Sequence, residues 1–562
     1  MLPFSALFGA ILACFAVTAG FEFVSYDDLK HLPENPAMRL PLGHALVQIW
    51  SEPYFEMYIP LSYTFWRVLY AISSTSGIFH VASVLLHGLN ACLVLLWLEL
   101  VSRKSGETVE SRTPLLLGAL VFALHPLQVE SVAWISEFRG LLSASFVLGA
   151  MILHLKSKGT SRWGWIALFI MAMLSKPSAV VLPLVILFQD WFVLEKRSVK
   201  DLARSWPAWI VALCFAVVAN SIQGVNVDLV PDLAGRARIV AESVSFYAEK
   251  LFWPAGLIPV YLRSATATLK APLTWESIVI PCVIALAILG TIRRMPLVSF
   301  GLLLWVAGLL PTLGLTTFIL QNTSIVADRY GYLAMVGVAL VIAELVTAAG
   351  KQSPNVARAV TVACAIVIAG LGLASALQTR IWRDNVSLYE SMIDRRPDHH
   401  IAMASLGAHY LEAGDYKRAG DLLEQSIKLS PEHYVAHYTL GALMLRQGRN
   451  DELAELCRQW FPLDDRKQPM FRKAIAYMHH YCGVAFHGVG KMDPAIGHFE
   501  SALALDPKFP YADDAYFRLG AIFLEQGNFA KAKAYFRSYL QVGGDPKKRE
   551  TAMEQLRILD QF

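Results

Sequence analysis

The chain has 562 residues, of which 55% are hydrophobic and only 17% are charged, and its mean hydropathy is +0.44. Soluble globular chains carry about 25% charged residues, so this composition argues against a purely cytosolic enzyme. The net charge is only +4, which is too small to indicate nucleic acid as a partner.

Apolar segments crowd into the part of the chain before Arg380. A helix needs about 20 apolar residues to cross a bilayer, and this criterion predicts about eleven transmembrane helices. The segment 239–260 is apolar but contains Glu242, Glu249 and Lys250, so we expect a helix in or near the membrane interface. The predicted spans are centred on residues 2–23, 77–101, 114–132, 141–155, 163–174, 179–194, 206–222, 277–292, 297–317, 332–349 and 359–377.

Lys and Arg residues give the predicted orientation, because they cluster in every second connection between spans and cytoplasmic loops are enriched in these residues. The N-terminus is then cytoplasmic, and everything after Arg380 is extracytoplasmic. The first span could also be a cleaved signal peptide, although no Lys or Arg precedes it. The cytoplasmic clusters contain Arg103, Lys104, Arg112, Lys156, Lys158, Arg162, Lys196, Arg197, Lys200, Arg204, Arg293, Arg294, Lys351 and Arg358.

A repeat with a period near 34 residues follows the apolar part. Gly407 and Gly441 are 34 residues apart, and similar glycine and aromatic patterns return around Gly483 and Gly520. This pattern resembles the tetratricopeptide repeat, in which two helices form each unit and about three or more stacked units are needed for stability. We predict four units from about 399 to 542 and an amphipathic capping helix near 547–559.

The predicted fold is therefore all-α, with three parts along the chain. Residues 1–380 form a polytopic membrane domain, 381–398 a linker, and 399–562 an extracytoplasmic α-solenoid. The concave face of such a solenoid binds extended peptides, although the repeats could instead serve only for oligomerisation. Cys457 and Cys482 could pair in an oxidising compartment, and no C-x-x-C zinc spacing occurs in the sequence.

Several motifs carry a resemblance to a known family. Together with repeats outside the membrane, they make the chain similar to the transmembrane and tetratricopeptide-repeat protein O-mannosyltransferases and their bacterial relatives. The motifs are Phe23-Val24-Ser25-Tyr26-Asp27-Asp28, Ile59-Pro60-Leu61-Ser62, Ser83-Val84-Leu85-Leu86-His87, His125-Pro126-Leu127-Gln128-Val129-Glu130-Ser131-Val132-Ala133-Trp134-Ile135-Ser136-x-x-Arg139, Leu174-Ser175-Lys176-Pro177, Leu251-Phe252-Trp253-Pro254 and Asp328-Arg329-Tyr330-Gly331-Tyr332-Leu333.

This resemblance implies a polytopic glycosyltransferase of the GT-C class, whose members use lipid-phosphate-linked sugars. The expected reaction moves one hexose, by resemblance mannose, from a polyprenyl-phosphate donor to a Ser or Thr hydroxyl of a secreted or membrane protein, with inversion. The implied site of action is the extracytoplasmic side of a bacterial inner membrane or the lumenal side of an ER membrane. Besides the lipid-linked donor no cofactor is certain, and a divalent cation is possible.

The candidate catalytic residues are carboxylates in the external connections. The resemblance assigns the general base to Asp27, with Asp28 as the next candidate, and Glu130 belongs to the same catalytic group. Two neighbouring carboxylates can push their titrations apart, so either aspartate could be the ionised one. The structural alternative for Asp27 and Asp28 is a helix N-cap or a solvated turn. The three carboxylates could hold a divalent ion only if the fold brings them together.

Five further residues are candidates for binding the donor phosphate or sugar: Lys176, Arg329, Arg139, His125 and Trp134. Four of them also have a purely structural interpretation. The lysine could extend to the interface, Arg139 could lie at the interface, and Arg329 could pair with an acid. The histidine could be a hydrogen-bonded core residue or a metal ligand, and it precedes a helix if Pro126 starts one. The tryptophan could stack on a pyranose.

Two other functions remain open for the sequence. One is the transfer of a preassembled oligosaccharide from a pyrophosphate lipid. The other is a non-catalytic membrane scaffold, whose repeats assemble an envelope or export complex. A scaffold has no need for acids and bases gathered on one side of the membrane, which favours the enzyme.

Overall fold

The computed structural model describes residues 2–106, 111–157, 163–199, 205–223, 230–316, 319–460 and 472–561. The predicted all-α fold is confirmed for these residues, since they contain no strand beyond one isolated bridge between Tyr54 and Met57. The chain divides into two compact units, which we call the N-terminal unit (Met1–Ser391) and the repeat unit (Met392–Phe562).

The N-terminal unit consists of helices joined by short turns and 3-10 segments. The 3-10 segments Pro126–Gln128, Ile135–Glu137, Pro177–Val181 and Asp328–Gly331 matter for the candidate site described below. Its α-helices are α1 (Leu2–Phe15), α2 (Asp28–His31), α3 (Leu42–Ser51), α4 (Pro60–Ile72), α5 (Ser76–Lys104), α6 (Thr113–Leu124), α7 (Val129–Ala133), α8 (Phe138–Lys156), α9 (Trp163–Ser175), α10 (Leu182–Phe192), α11 (Trp206–Gln223), α12 (Leu233–Phe252), α13 (Ala265–Lys270), α14 (Glu276–Thr291), α15 (Pro296–Leu309), α16 (Met335–Gly350), α17 (Pro354–Thr379) and α18 (Asn385–Arg395).

Four helical segments among the described residues are long and apolar enough to cross a membrane: Pro3–Gly20, Ser76–Lys104, Ile135–Lys156 and Pro354–Trp382. Helices α6 and Pro126–Ala133 would form a fifth span, bent by 50°. The other predicted spans coincide with shorter apolar helices of 10–17 residues, so the number of eleven stays a prediction. These shorter helices are Trp163–Ser175, Pro177–Phe192, Trp206–Ile222, Glu276–Thr291, Pro296–Thr312 and Met335–Gly350.

Two connecting segments of the N-terminal unit differ from their predicted form. The expected interfacial helix over 239–260 begins earlier, at Leu233, and ends at Phe252, after which the chain is irregular as far as Ser264. The expected linker over 381–398 is largely helical, because it contains the end of the 3-10 turn Arg380–Trp382 and all of α18. Trp382 is buried against Trp134, with their rings stacked at 5.8 Å, so the linker begins as part of the N-terminal core.

Over residues 392–460 and 472–561 the repeat unit contains four helical pairs and a final helix, as expected for the predicted solenoid of repeats. Each pair is joined by a tight turn with a glycine at positive φ, at Gly414, Gly448, Gly490 and Gly527. These are conformations in which glycine avoids the Cβ clash of other residues. The helices are α19 (His400–Glu412), α20 (Tyr416–Leu429), α21 (Tyr434–Arg446), α22 (Asn450–Trp460), α23 (Arg472–Gly488), α24 (Met492–Leu505), α25 (Ala512–Glu525), α26 (Phe529–Val542) and α27 (Pro546–Leu559).

Close packing inside each pair explains the other periodic glycines. A Cβ added at Gly483 would lie 2.7 Å from ring atoms of Phe499, and one at Gly520 would lie 2.8 Å from the ring of Phe536. The two helices of a repeat can approach this closely only where one of them lacks a side chain. Some of the periodic glycines therefore mark helix contacts, and others mark turns.

A disulfide joins Cys457 on α22 to Cys482 on α23. Both cysteines are buried in the core of the repeat unit. The bridge links the second helix of one repeat to the first helix of the next, across the segment 461–471. The predicted pairing of these two cysteines is confirmed.

Candidate functional site

Four short segments of the N-terminal unit bring most of the candidate residues together, and Lys176 and Arg139 join them through Glu137. The four segments are α2 with the residues before it, α7, the 3-10 turn Ile135–Glu137 and the 3-10 turn Asp328–Gly331. Each segment is only about one turn long, so its side chains are fixed by packing against the neighbouring segments rather than by their own helix. Residues that are up to 300 positions apart in the sequence thereby share one buried polar region.

Asp28 is a structural anchor within this region. Its Oδ1 accepts hydrogen bonds from the backbone N–H of Ser136 at 3.0 Å and from the Ser136 hydroxyl at 2.5 Å, and its Oδ2 accepts one from the backbone N–H of Val24 at 3.2 Å. The residue is 1% exposed, and this burial raises its pKa to about 7. Three hydrogen bonds leave the Asp28 carboxylate committed to joining α2 to the turn before α8.

Asp27 has a different environment, although it is the adjacent residue. It is the N-cap residue of α2, yet its side chain makes no capping hydrogen bond, and none to any other described residue is found. The half-buried carboxylate lies in the electrostatic field of Arg139, Lys30 and Arg329. Burial raises the pKa of Asp27 and these three cations lower it, with burial the larger influence. Asp27 is thus a carboxylate that is held near positive charge and keeps its oxygens available.

Glu130 and Arg329 form a buried ion pair. The guanidinium Nη1 of Arg329 donates to Oε1 of Glu130, and the backbone N–H of Arg329 donates to Oε2 at 2.9 Å. Of the alternatives open to Arg329, pairing with an acid is the one seen here, but the partner is Glu130 rather than the adjacent Asp328. Glu130 positions Arg329 and has both oxygens occupied, so it is less suited than Asp27 to receive a proton.

Asp328 instead accepts a hydrogen bond from the hydroxyl of Tyr261 at 2.7 Å. Burial and the nearby charge of Glu130 hold the pKa of Asp328 well above its ordinary value. Asp328 thus binds Tyr261, and Glu130 binds the guanidinium of Arg329.

Lys176 is held by Glu137, a residue that the sequence analysis did not select. The ammonium Nζ donates to both carboxylate oxygens of Glu137, at 2.9 and 2.6 Å. Glu137 is 1% exposed. The signal for it was present in the sequence, because a lysine inside an apolar hairpin needs a buried partner, and Glu137 is an acid between the apolar residues Ile135 and Phe138.

Arg139 lies close to both Glu137 and His31. Its Nε is 3.4 Å from Oε1 of Glu137, and its Nη1 is 3.0 Å from the sulfur of Met57 and 3.4 Å from Nε2 of His31. These contacts are long or involve weak acceptors. Arg139 is therefore a nearly buried guanidinium that is less fully paired than Lys176 or Arg329.

Trp134 supports the two arginines. Its ring centroid lies 5.2 Å from the guanidinium carbon of Arg329 and 5.9 Å from that of Arg139. Tyr26 and Trp382 pack against the same ring, which is 1% exposed. In this structure the ring packs against protein groups and does not present a face to a sugar.

His125 has the hydrogen-bonded role that the sequence left open. Its Nδ1 accepts a hydrogen bond from the backbone N–H of Leu127, so that it caps the 3-10 turn that Pro126 begins, and its Nε2 donates to the carbonyl of Leu251 at 3.0 Å. Both ring nitrogens are thus occupied. Among the described residues, no group of three or more His, Cys, Asp or Glu side chains could hold a metal ion.

A cavity opens beside these ion pairs. Glu137, Lys176 and Arg329 line it, and it contains about 520 Å³ of space not filled by atoms, part of which is open to solvent. Its apolar wall includes Ala144 and Val147 on α8. The cavity therefore has a charged end and an apolar end, as expected for a site that binds an amphipathic molecule.

Comparisons with known proteins identify only the repeats. The tetratricopeptide repeat family matches residues 375–432, 410–469 and 486–547, which confirms the predicted repeats. No curated protein matches the chain.

Among solved structures, MamA from Desulfovibrio magneticus RS-1 is 18% identical with a TM-score of 0.24, covering 30% of this chain and 85% of its own. PilF of Pseudomonas aeruginosa is 14% identical with a TM-score of 0.26, covering 32% and 80%. The Cut9–Hcn1 hetero-tetramer of the APC/C is 13% identical with a TM-score of 0.28, covering 95% and 96%. With TM-scores below 0.5, these likenesses say nothing about function.

Proposed function

We propose that this chain is an inverting GT-C-type glycosyltransferase that moves a hexose, by resemblance mannose, from a polyprenyl-phosphate donor to Ser or Thr hydroxyls of secreted or membrane proteins. The observation that carries the proposal is the environment of Asp27. Its half-buried carboxylate has no hydrogen-bond partner among the described residues, and it lies in the field of Arg329, which also lines the charged end of the cavity.

The proposed step is a single displacement. The hydroxyl oxygen of the acceptor attacks the anomeric carbon of the sugar, and the bond between that carbon and the phosphate oxygen breaks. The electron pair of that bond leaves with the polyprenyl phosphate, and the hydroxyl proton passes to the carboxylate of Asp27. Attack from the side opposite the leaving group inverts the anomeric configuration.

The cations of the site suit the leaving phosphate. Lys176 and Arg329 face the cavity, where each is oriented by its own carboxylate, Glu137 and Glu130. Arg139 is a third cation of the region, and its contact with Glu137 is longer, at 3.4 Å, so its charge also acts on Asp27. Fixed positive charge in a water-poor site stabilises the charge that develops on the leaving group.

The apolar end of the cavity suits the lipid part of the donor. The lining residues of α8 run from Gly140 to Val147, a length of about 10 Å at 1.5 Å per residue. The helical segment that contains them, Ile135–Lys156, is long and apolar enough to cross a membrane. A donor with its phosphate beside Lys176 would therefore have its first isoprene units against this wall.

The disulfide of the repeat unit supports the proposed compartment. Disulfides persist in oxidising compartments and are rare in the cytosol, and Cys457 and Cys482 are bonded. The orientation predicted from Lys and Arg residues also places the repeats outside the cytosol. We propose a bacterial inner membrane, with an ER membrane as the alternative, and acceptor polypeptides that are captured by the repeats and thereby concentrated near the membrane site.

Substitution of Asp27 tests this proposal. The purified full chain, reconstituted in vesicles, receives polyprenyl-phosphate mannose or glucose and unfolded Ser- and Thr-rich polypeptides, and transfer is measured by mass spectrometry. Because general-base catalysis contributes about 10²–10⁴-fold, Asp27→Asn should lower transfer by at least about 100-fold. The matched control is Glu34→Gln, an exposed carboxylate of the same external segment, which should keep wild-type activity.

Each other outcome has a definite meaning. Transfer by Asp27→Asn at the wild-type rate would contradict the assigned base. Transfer only from a pyrophosphate-linked oligosaccharide would replace the proposal by an oligosaccharyltransferase. A wild-type chain that transfers no sugar from any lipid donor, but still captures polypeptides through its repeats, would favour the scaffold.

A further inference from the structure

A tight turn in the external segment between α3 and α4 has an unusual backbone. Tyr54 and Met57 exchange two backbone hydrogen bonds of 3.0 Å, so that Phe55 and Glu56 form a two-residue hairpin turn. Both turn residues have positive φ, 49° for Phe55 and 57° for Glu56. A two-residue turn of this kind normally contains Asn-Gly, Asp-Gly or Gly-Gly.

Phenylalanine and glutamate are poor residues for this conformation. The left-handed region brings the Cβ atom close to the following carbonyl oxygen, a cost that glycine avoids and that asparagine tolerates. Two consecutive positions with this cost make the turn less stable than the same turn with Asn-Gly. Strained backbone of this kind clusters at functional sites, where the surrounding structure holds it.

The turn packs directly against α2, the helix that begins directly after Asp27. The ring of Phe55 contacts the ring of His31 edge-on with centroids 5.3 Å apart, and the Nζ of Lys30 lies 5.0 Å from the centroid of Phe55. The hydroxyl of Tyr54 donates to the carbonyl of Lys30 at 3.0 Å. The position of the turn is therefore fixed relative to Asp27.

The turn also contacts the arginine of the site, while its two central side chains stay accessible. The sulfur of Met57 lies 3.0 Å from Nη1 of Arg139. Phe55 is 40% exposed, and Glu56 is also exposed. An exposed aromatic ring and a carboxylate thus lie next to α2 and Arg139.

We propose that the Phe55–Glu56 turn is the acceptor-recognition element of the site, an inference that rests on the proposed glycosyl transfer. The ring of Phe55 contacts the acceptor polypeptide next to the hydroxyl that is glycosylated, and Glu56 favours a basic residue at the flanking position. The turn belongs to the acceptor side because the donor cavity is lined by Lys176 and Arg329 and includes none of residues 54–57. Asp27 lies in the electrostatic field of Arg329, which lines the donor cavity, and of Arg139, which contacts the turn. It can therefore act on groups from the donor side and from the acceptor side.

The decisive test combines Phe55→Asn with Glu56→Gly, which installs the residues that the turn geometry favours. The wild type and the double variant are compared for melting temperature, for the KM of a Lys-flanked Ser/Thr acceptor peptide, and for hydrolysis of the polyprenyl-phosphate hexose without acceptor. We expect a higher melting temperature, an increase of at least about 10-fold in the acceptor KM, and unchanged donor hydrolysis. Phe55→Tyr, which retains the ring, should keep the wild-type KM.

The matched control is Glu195→Gly, which relieves the same kind of strain (φ 52°) at an exposed position outside the site and should leave the acceptor KM unchanged. An unchanged acceptor KM in the double variant would overturn the inference alone, since transfer itself would still occur. A parallel loss of donor hydrolysis would overturn it too, because the turn would then support the whole site. A wild-type chain without hexose transfer would instead overturn the proposed function.

Discussion

The most deeply buried ion pair among the described residues lies in the N-terminal unit, whereas the repeat unit has several pairs exposed to solvent. In the N-terminal unit, Glu137 with Lys176 and Glu130 with Arg329 are ion pairs between distant segments, and their side chains are largely buried. In the repeat unit, Arg458 pairs with Glu455 across one helical turn in solvent. A buried pair fixes the packing of the segments it joins, because loss of one partner leaves an uncompensated charge, whereas an exposed pair within a helix contributes little.

Removal of one buried carboxylate should have the largest effect on stability. Glu137→Gln leaves the ammonium of Lys176 inside the protein without its partner, which should destabilise the chain by about 3–5 kcal/mol. Thermal unfolding of the detergent-purified chain measures this change. Glu455→Gln, which removes the exposed partner of Arg458, should leave the melting temperature unchanged. Equal effects of the two substitutions would contradict the contrast between the units.

Two glycines of the repeat unit should respond in opposite directions. In Gly483→Ala the new methyl group meets the ring of Phe499 at 2.7 Å, and such overpacking should destabilise the unit by about 1–3 kcal/mol. In Gly497→Ala the methyl group has nothing within 4 Å, and an exposed helical Gly→Ala exchange should stabilise the unit by about 0.5–1 kcal/mol. Chemical denaturation measures both. A gain of stability in Gly483→Ala would show that the close approach of α23 and α24 is unimportant.

Titration of Asp28 should give the smallest change. Burial raises the pKa of this carboxyl to about 7, so the folded state favours the neutral form more than the unfolded state does. The stability that results is complete below the ordinary pKa of 3.8 and is lost progressively as pH rises to the folded pKa. The last part of this loss, between about pH 6 and pH 8, should be about 1 kcal/mol.

The measurement is the free energy of unfolding against pH for the wild type and Asp28→Asn. The asparagine cannot ionise, so this part of the pH dependence should disappear in the variant. An equally steep dependence in both chains would assign it to other groups.

The architecture of the repeat unit could be predicted because its signals are local. Gly414 and Gly448 mark turns, and Gly483 and Gly520 mark contacts within single helical pairs, so spacing along the sequence is enough to find them. The four long apolar helices and the two paired cysteines could likewise be recognised from short stretches of sequence. The prediction of a linker over 381–398 missed helix α18, because an amphipathic helix between two domains contains no long apolar run.

The chemistry of the candidate site could be predicted only in part. A buried lysine at position 176 indicates that a carboxylate must approach it, but Glu137 is 39 residues away and only packing selects it. Asp27 and Asp28 are adjacent residues of the same type, so the sequence cannot assign them different roles. Their roles differ in the fold, because Ser136 and Val24 donate hydrogen bonds to Asp28. Long-range pairings of this kind follow from the tertiary fold and have no period in the sequence.

The disulfide between Cys457 and Cys482 has a consequence for the stretch that it spans. In most solenoids the turn between repeats also sets their spacing, so its length is restricted. Here a covalent bond ties α22 to α23, so the spacing of these two helices is held by that bond as well as by packing. Insertions or deletions between the two cysteines should therefore be tolerated, which makes this junction a suitable place for a tag or a protease site.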